Sequence, residues 1–163
     1  MDAFTIFCFA VPLIQIFYFI FFFYAFSKKK SARISADVPV SVIVCAHDEE
    51  QNLRTLIPLL LEQDHPQFEV LIVEDRSNDN SFEYLHEESK KNPLLRIIRV
   101  DHKPEQVNGK KYGLTLGIKA AQYDWILFTD ADCRPPDNHW IKAMTGEAEE
   151  NTQIILGYSS YMK

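Results

Sequence analysis

The sequence predicts an α/β protein with a mostly parallel sheet flanked by helices and preceded by one transmembrane helix. Three observations predict this class. Short apolar segments rich in β-branched residues alternate with longer segments whose apolar residues recur at helical spacing, an order typical of parallel sheets with helices on both faces. Acidic residues directly follow three of the short segments, at the sheet edge where such proteins bind ligands. A long uncharged segment precedes the whole pattern.

The uncharged segment extends from Phe4 to Phe26 and predicts the transmembrane helix. Helical geometry gives it a length of roughly 34 Å, enough to cross the roughly 30 Å of a bilayer's hydrocarbon core. A helix satisfies its own backbone hydrogen bonds, as lipid requires, and membrane helices tolerate a proline such as Pro12. We therefore expect residues 1–27 to form an N-terminal anchor.

The charges on either side of the anchor predict its orientation. Only Asp2 precedes it, and the basic residues that follow are Lys28, Lys29, Lys30 and Arg33. Because basic residues stay on the cytoplasmic side, we expect a single pass through the cell membrane, with the N-terminus outside and the domain that follows the anchor cytoplasmic. The alternative, a cleaved signal peptide, requires a basic region before the apolar segment, which this chain lacks.

The rest of the chain divides by composition. Residues 28–37 are expected to form a basic juxtamembrane linker, and residues 38–163 one domain that is incomplete at its C-terminus. The formal net charge of -6 argues against a nucleic-acid partner, whose phosphates call for a basic surface. The three cysteines include no C-x-x-C pair, so the sequence indicates neither a disulfide framework nor a zinc site.

From residue 38 onward the pattern predicts five strands and four helices in alternation. The strands are expected at Val38–Cys45, Glu69–Glu74, Leu94–Val100, Trp125–Thr129 and Ile154–Tyr158. The helices are expected at Glu49–Glu62, Asp79–Lys91, Gly109–Gln122 and Asp137–Glu150. Their inward-facing residues are expected to be Leu53, Leu56, Ile57 and Leu60 in the first helix, Phe82 and Leu85 in the second, and Leu114, Ile118 and Ala121 in the third.

Asp130 and Asp132 follow the apolar strand W-I-L-F-T and are the strongest candidates for a metal site. If the extended conformation continues, side chains two residues apart face the same crevice, where their like charges repel and a cation relieves the repulsion. Mg²⁺ and Mn²⁺ prefer oxygen ligands and often join a carboxylate to phosphate oxygens. The alternative is a solvated turn that runs into Pro135 and Pro136.

Acidic residues also follow the first two strands. His47, Asp48 and Glu49 form the turn after the first strand, where the His47 ring is a candidate to lie against a nucleobase. Asp75 ends the second strand, where a carboxylate is able to accept hydrogen bonds from a base N–H or a ribose hydroxyl. The structural alternatives are ordinary turns, with acidic residues favoured in the first helical turn and Ser77 or Asp79 acting as a helix cap.

Lys110 lies where the Asn108-Gly109 turn enters a helix, a position suited to a phosphate group. Lys111 is a competing candidate, and a solvated lysine without a ligand is the structural alternative.

Together these residues resemble the inverting family 2 glycosyltransferases, which have the GT-A nucleotide-sugar-binding fold. The resemblance extends from about Pro39 to Pro136. The first turn, A-H-D-E, resembles the family's A-[YH]-[ND]-E, which implies that Ala46, His47 and Glu49 bind the nucleobase. The segment V-E-D-R-S-N-D resembles V-D-D-G-S-T-D and gives Asp75 a base contact.

Two further motifs complete the resemblance. Gly109-Lys110 followed by Gly113-Leu114 resembles G-K-x-x-A-L-N-x-G, which implicates Lys110 in donor binding. T-D-A-D-C-R-P-P resembles the family's metal-binding D-A-D, which implies that Asp132 is a metal ligand and that Asp130 contacts both the metal and the sugar-nucleotide. The resemblance therefore implies Mn²⁺ or Mg²⁺, a UDP- or GDP-sugar donor and a glycan or lipid-linked acceptor, as in polysaccharide biosynthesis at a membrane.

The chain departs from the family pattern at three positions. Glu74 replaces an aspartate, Arg76 a glycine and Thr115 an asparagine, and these changes concern donor specificity rather than the class. The family's catalytic base lies well after the metal motif, so we expect it downstream of Lys163.

Two alternatives to an active transferase stay open at this point. One is a nucleotide-sugar-binding module without turnover. The other is a haloacid-dehalogenase-like phosphatase, whose nucleophile motif is also D-x-D, although Arg134 stands where that motif has threonine or valine.

Overall fold

The structure is a computed structural model that describes residues 2–27, 37–102, 104, 107–149 and 151–157. The basic residues Lys28, Lys29, Lys30 and Arg33, which predicted the orientation of the anchor, lie outside the described residues, as does Tyr158. The chain divides into two compact units, Met1–Ala32 and Arg33–Lys163.

The first unit contains helix α1, Ala3–Ser27, with Pro12 inside it. Its segment Phe7–Ala25 has a mean hydropathy of 2.1, and none of that segment is buried. Apolar side chains such as Phe17, Phe19 and Phe23 are therefore exposed around the helix. In the described part of the chain this is the one helix long and apolar enough to cross a membrane, judged by its length and composition.

The second unit contains a four-stranded parallel sheet in the order β3-β2-β1-β4. Its strands are β1 Val40–Ala46, β2 Phe68–Glu74, β3 Leu95–Arg99 and β4 Trp125–Asp130. Each begins and ends within two residues of the predicted bounds, so the first four predicted strands are confirmed. Because the strands are parallel and β1 lies between β2 and β4, the turns that follow β1, β2 and β4 meet at one edge of the sheet.

Helices cover both faces of this sheet, as predicted. The helices are α2 Glu50–Leu61, α3 Ser81–Lys91, α4 Gly109–Ala120 and α5 Trp140–Thr145. Alternate residues of β1 point to opposite faces. Val40, Val42 and Val44 pack with buried residues of α2, α3 and α5, whereas Ile43 belongs to a second cluster with Tyr112 and other residues of α4.

The last predicted helix is too long, and the last predicted strand is wrong for the residues that the structure describes. Helix α5 covers six residues instead of Asp137–Glu150, because the backbone before it is held in a turn: Gln63 Nε2 donates to the Asp137 carbonyl and the Asp64 N–H donates to the Asn138 carbonyl. Residues 154–157 of the predicted fifth strand form no strand, and Ile154 is 80% exposed. A strand requires a neighbour that supplies ladder hydrogen bonds, and none pairs with this segment among the described residues.

The inward face of α4 agrees with the prediction only in part, since Ala121 packs against the cluster that contains Ile43. Gly113 and Gly117 are buried against the sheet, whereas Ile118 is 49% exposed. A Cβ atom at position 117 would lie 2.7 Å from Ile43 Cγ2 and 3.3 Å from Val73 Cγ2. The missing side chains let the helix lie directly on the strands, which brings its N-terminus to the edge where the acidic turns meet. In α3, similarly, Tyr84 is buried with Leu85, whereas Phe82 is half-buried.

A buried glutamate secures the opposite edge of the sheet. Glu69 is 3% exposed and accepts hydrogen bonds from Ser41 Oγ (2.6 Å), from Arg96 and from the backbone N–H of Gln122. Burial opposes ionisation of Glu69, but these three donors outweigh it and lower the pKa of the carboxyl. Because Gln122 lies in the α4–β4 loop, this network fixes where β4 begins and hence where its carboxyl end lies.

The close approach of α4 to the sheet predicts different effects of adding a methyl group at its two buried glycines. Gly117→Ala is expected to lower the free energy of unfolding by about 1–3 kcal/mol, because the new Cβ overlaps Ile43, which is fully buried in the core. Gly113→Ala is the matched control, since its Cβ would meet Cys45 Sγ at 3.2 Å and alanine favours the helix by about 0.5–1 kcal/mol. Thermal unfolding of the detergent-solubilised chain measures both. A Gly117→Ala variant as stable as Gly113→Ala would contradict the packing described here.

Candidate nucleotide-sugar site

A cavity of about 310 Å³ lies where the carboxyl ends of the strands meet the N-terminus of α4. All seven site residues predicted from the sequence line it: Ala46, His47, Glu49, Asp75, Lys110, Asp130 and Asp132. Cys45, Gly109, Gly113 and Ala131 complete the lining. Residues up to 87 positions apart in the sequence, Cys45 and Asp132, are thus brought to one place.

The turns after β1 and β2 are joined by hydrogen bonds. His47 donates its Nδ1–H to the Asp75 carbonyl oxygen (2.6 Å), and the Asp75 N–H donates to the Ala46 carbonyl (2.8 Å). Asp48 accepts from the Asn78 N–H at 2.6 Å and has a positive φ of 56°. The two turns therefore form one wall of the cavity, with the His47 ring and the Asp75 carboxylate in fixed relative positions.

Asp79 strengthens the same wall. Its carboxylate accepts from the Glu50 N–H (3.0 Å) and from the Ser81 N–H (2.9 Å), which are the first residues of α2 and α3. Burial opposes its ionisation, but these hydrogen bonds are stronger in effect and lower the pKa of Asp79. The predicted cap of α3 is therefore displaced by one residue: Asn80 occupies the N-cap position, and Asp79 supplies the hydrogen bond.

Glu74 and Arg76, two of the departures from the family pattern, have clear structural roles. Glu74 is 1% exposed; its Oε1 accepts from the Ser77 N–H, and its Oε2 lies 3.7 Å from Arg99 Nε. Arg76 has a φ of 54°, a left-handed conformation that glycine adopts without strain, and its Nε donates to Asp75 Oδ1 at 2.8 Å. One oxygen of Asp75 is therefore already engaged by a guanidinium.

The acidic loop after β4 has the alternation that the sequence predicted. Ala131 is 4% exposed and belongs to the core, so Asp130 and Asp132 flank a buried residue and both line the cavity. Lys110 Nζ lies 2.7 Å from Asp130 Oδ1. The hydrogen bond to Asp130 is the main reason that the pKa of Lys110 is raised.

Arg134 and Asn52 position this loop and were missed by the sequence analysis. Arg134 Nη1 donates to the carbonyl oxygens of Ala131 (3.0 Å) and Cys133 (2.7 Å), and its Nη2 donates to Asn52 Oδ1 (2.7 Å). Asn52 Nδ2 in turn donates to Glu49 Oε2 at 2.6 Å. A continuous chain of hydrogen bonds thus connects the acidic loop to the turn after β1, and it ends at one carboxylate oxygen of Glu49.

Cys45 lies in the cavity lining but is unsuited to act as a nucleophile. Burial raises the pKa of its thiol to about 11, with Asp130 and Asp75 adding to the effect and Lys110 opposing it. The thiol is therefore protonated at neutral pH, and nucleophilic chemistry requires the thiolate.

The carboxylates of Asp130 and Asp132, at the carboxyl end of β4, fit a divalent metal whose other ligands are water or substrate oxygens. The described residues contain no group of three or more His, Cys, Asp or Glu that would hold an ion by themselves. Mg²⁺ is typically bound by one or two carboxylates together with water and substrate phosphates, and Mn²⁺ accepts the same oxygen ligands. Asp130 and Asp132 therefore suit an ion that a diphosphate helps to hold.

Comparison with known proteins identifies the family. The family model "Glycosyl transferase family 2" matches residues 41–161, which include every residue of the cavity. The chain belongs to glycosyl transferase family 2, as the resemblance of its motifs implied.

Two curated relatives show how much of a whole protein the chain represents. A poly-beta-1,6-N-acetyl-D-glucosamine synthase of Staphylococcus epidermidis is 29% identical over 93 residues, which cover 57% of this chain and 21% of the synthase. An uncharacterized glycosyltransferase of Haemophilus influenzae is 29% identical over 124 residues, 76% of this chain and 36% of the relative. The chain thus matches about a fifth and about a third of the length of these two proteins.

Solved structures confirm the predicted GT-A fold. Residues 1–349 of TarS from S. aureus give a TM-score of 0.56 at 25% identity, covering 65% of this chain and 31% of that one. The mannosyltransferase PcManGT from Pyrobaculum calidifontis, solved with GDP-Man and Mn²⁺, gives a TM-score of 0.68 at 21% identity, covering 87% of this chain and 41% of that one.

The backbone of Arg76 provides a test of the turn after β2. Arg76→Gly and Arg76→Ala both remove the guanidinium from Asp75, but only glycine relieves the positive φ. We expect Arg76→Gly to be about 0.5–1 kcal/mol more stable than Arg76→Ala, after allowing for the greater chain entropy of glycine in the unfolded state. Thermal unfolding of the two variants measures the difference. An alanine variant of equal or greater stability would show that this turn is not strained.

Proposed function

We propose that the protein of which this chain is part is a metal-dependent, inverting glycosyltransferase that moves a sugar from a nucleotide-sugar to an acceptor hydroxyl at the cytoplasmic face of a membrane. The observation that carries the proposal is the single cavity lined by Ala46, His47, Glu49 and Asp75 on one side and by Lys110, Asp130 and Asp132 on the other. Family membership and the GT-A fold support it.

The first group of residues suits the nucleobase. The His47 ring offers a flat surface, and its position is fixed by the hydrogen bond to the Asp75 carbonyl. The Asp75 carboxylate accepts hydrogen bonds and donates none, so it favours a base whose edge presents a ring N–H, as uracil and guanine do. This agrees with UDP- or GDP-sugars as donors; TarS has been solved with UDP-GlcNAc and PcManGT with GDP-Man.

The second group suits the diphosphate. Gly109 and Lys110, the first two residues of α4, line the cavity, and a helix N-terminus favours anions. The Lys110 ammonium adds a positive charge that is able to reach a phosphate oxygen. Asp130 and Asp132 would hold Mn²⁺ or Mg²⁺, which neutralises the charge that develops on the departing diphosphate.

The proposed reaction is a displacement at the anomeric carbon. The acceptor oxygen forms a bond to this carbon as the bond to the β-phosphate oxygen breaks, and the nucleoside diphosphate leaves with the electron pair. The acceptor proton passes to a general base, for which we assign no residue of this chain. Inversion follows from attack on the face opposite the leaving group.

The membrane location and the acceptor class extend this proposal. Helix α1 has the length and composition to span a bilayer, and the basic residues 28–33 favour a cytoplasmic location for the domain that follows. The relative from Staphylococcus epidermidis is a synthase of a polysaccharide. A growing glycan or a lipid-linked acceptor, in polysaccharide biosynthesis at a membrane, therefore fits best. Family membership removes the phosphatase alternative.

Binding of a donor nucleotide tests the site directly. The detergent-solubilised chain is expected to bind UDP-GlcNAc or GDP-Man in calorimetry only when Mn²⁺ or Mg²⁺ is present. Asp132→Asn is expected to weaken this binding at least about tenfold, because it removes a charged metal ligand. Asp124→Asn is the matched control, since it makes the same change on an exposed residue just before β4, at the far end of the strand. Binding of equal strength with and without metal would refute the proposed role of Asp132.

A further inference from the structure

We propose that Lys110 and the metal are alternative partners of Asp130, so that the site takes up its metal together with the nucleotide rather than before it. In the absence of donor the Lys110 ammonium neutralises Asp130. When the donor enters, the ammonium transfers to a phosphate oxygen and leaves Asp130 to the metal. This inference rests on the proposed function and adds an order of binding to it.

The first support is the geometry of the pair. Lys110 is the second residue of α4 and Asp130 the last residue of β4, and Nζ lies 2.7 Å from Oδ1. The side chains are 62% and 57% exposed, so solvent and ions reach both. An exposed ion pair of this kind is weak and is readily exchanged for another partner.

The second support is the charge of the cavity. Its lining contains four carboxylates, Glu49, Asp75, Asp130 and Asp132, and one ammonium, Lys110, which leaves a formal charge of −3 with His47 neutral. Lys110 is the one lysine or arginine among the lining residues that the structure describes. The two nearby arginines are engaged away from the carboxylates of the acidic loop, since Arg76 contacts Asp75 and Arg134 contacts backbone carbonyls. Lys110 is therefore the resident counter-ion of the acidic loop.

These two facts predict positive coupling between metal and nucleotide. A dication that approaches Asp130 without a donor meets an ammonium already hydrogen-bonded to its ligand and is repelled by it. A diphosphate provides the ammonium with another partner, which the flexible four-carbon stem of lysine is able to reach. Since coupling free energies are reciprocal, the nucleotide must tighten metal binding by the factor by which the metal tightens nucleotide binding.

The test compares Mn²⁺ binding with and without UDP. Calorimetry is performed on the full chain in detergent, for the wild type, Lys110→Met and Lys111→Met. Lys111 is the neighbouring lysine and is absent from the cavity lining. Lys111→Met therefore makes the same change in net charge but keeps the ion pair between Lys110 and Asp130. Lys110→Met is expected to bind Mn²⁺ alone about two- to fivefold more tightly than the wild type, and Lys111→Met with unchanged affinity. The tightening of Mn²⁺ binding by UDP is expected to be smaller in Lys110→Met than in the wild type.

The outcomes separate this inference from the function it rests on. If Lys110→Met binds Mn²⁺ alone no more tightly than the wild type, while the wild type binds UDP in a metal-dependent way, the exchange of partners is refuted and the function stands. If the wild type shows no metal-dependent binding of UDP, both fail. Thermal unfolding establishes that each variant is folded, and Lys110→Gln, which keeps part of the stem, is measured as the second neutral variant and must agree with Lys110→Met.

Discussion

The convergence of three acidic turns at one edge of a parallel sheet is the constraint on which the rest of the structure depends. Parallel pairing of β1 with both β2 and β4 places the residues that follow each strand side by side. The result is a concentration of carboxylates that requires positive charge nearby. The structure supplies it in three forms: the guanidinium of Arg76 at Asp75, the ammonium of Lys110 at Asp130, and the N-terminus of α4. The first two contact carboxylates that line the cavity, and the third begins at Gly109, which lines it as well.

The remaining interactions hold these charged groups in place without neutralising the carboxylates of Asp130 and Asp132. The α4 helix reaches the site because Gly113 and Gly117 let it lie on the strands. Arg134 binds the carbonyls of the acidic loop rather than its carboxylates, so the loop is fixed while Asp130 and Asp132 face the cavity. The Asp79 carboxylate likewise accepts hydrogen bonds from the first N–H groups of α2 and α3. Acidic residues that hold the backbone, such as Asp79, thus differ in their hydrogen bonds from those that face the cavity, such as Asp130 and Asp132.

The sequence predicted the sheet and the composition of the cavity well for identifiable reasons. The four strands are short, mainly apolar segments, and the rule that ligands bind at the carboxyl ends of strands then selects His47, Asp75, Asp130 and Asp132. Ala46 was implied by the family resemblance, and Lys110 by its place at the start of a helix. The pattern failed where contacts distant in sequence decide the structure. The turn before α5 is set by Gln63 and Asp64, and no periodicity in residues 137–150 reports them.

Three other features lie beyond sequence patterns. The buried face of α4 is formed in part by glycines, which contribute nothing to a hydrophobic stripe, so the more apolar residues Leu114 and Ile118 were expected there instead. Lys110 and Asp130 were each singled out in the sequence, but their pairing joins residues 20 positions apart and no sequence pattern indicates it. Arg134 was visible only as a residue that does not fit a phosphatase motif, because its role depends on carbonyl groups that every residue possesses.

The central claim is that the two carboxylates after β4 and a diphosphate hold one divalent ion between them. Its most direct test is a crystal of the full chain grown with Mn²⁺ and UDP, in which anomalous scattering locates the manganese. We expect a single strong peak at bonding distance, about 2.1 Å, from a carboxylate oxygen of Asp132, with Asp130 beside it and both phosphates on the side of α4. Manganese bound elsewhere, with UDP present in the cavity and both aspartates directed into solvent, would contradict the account.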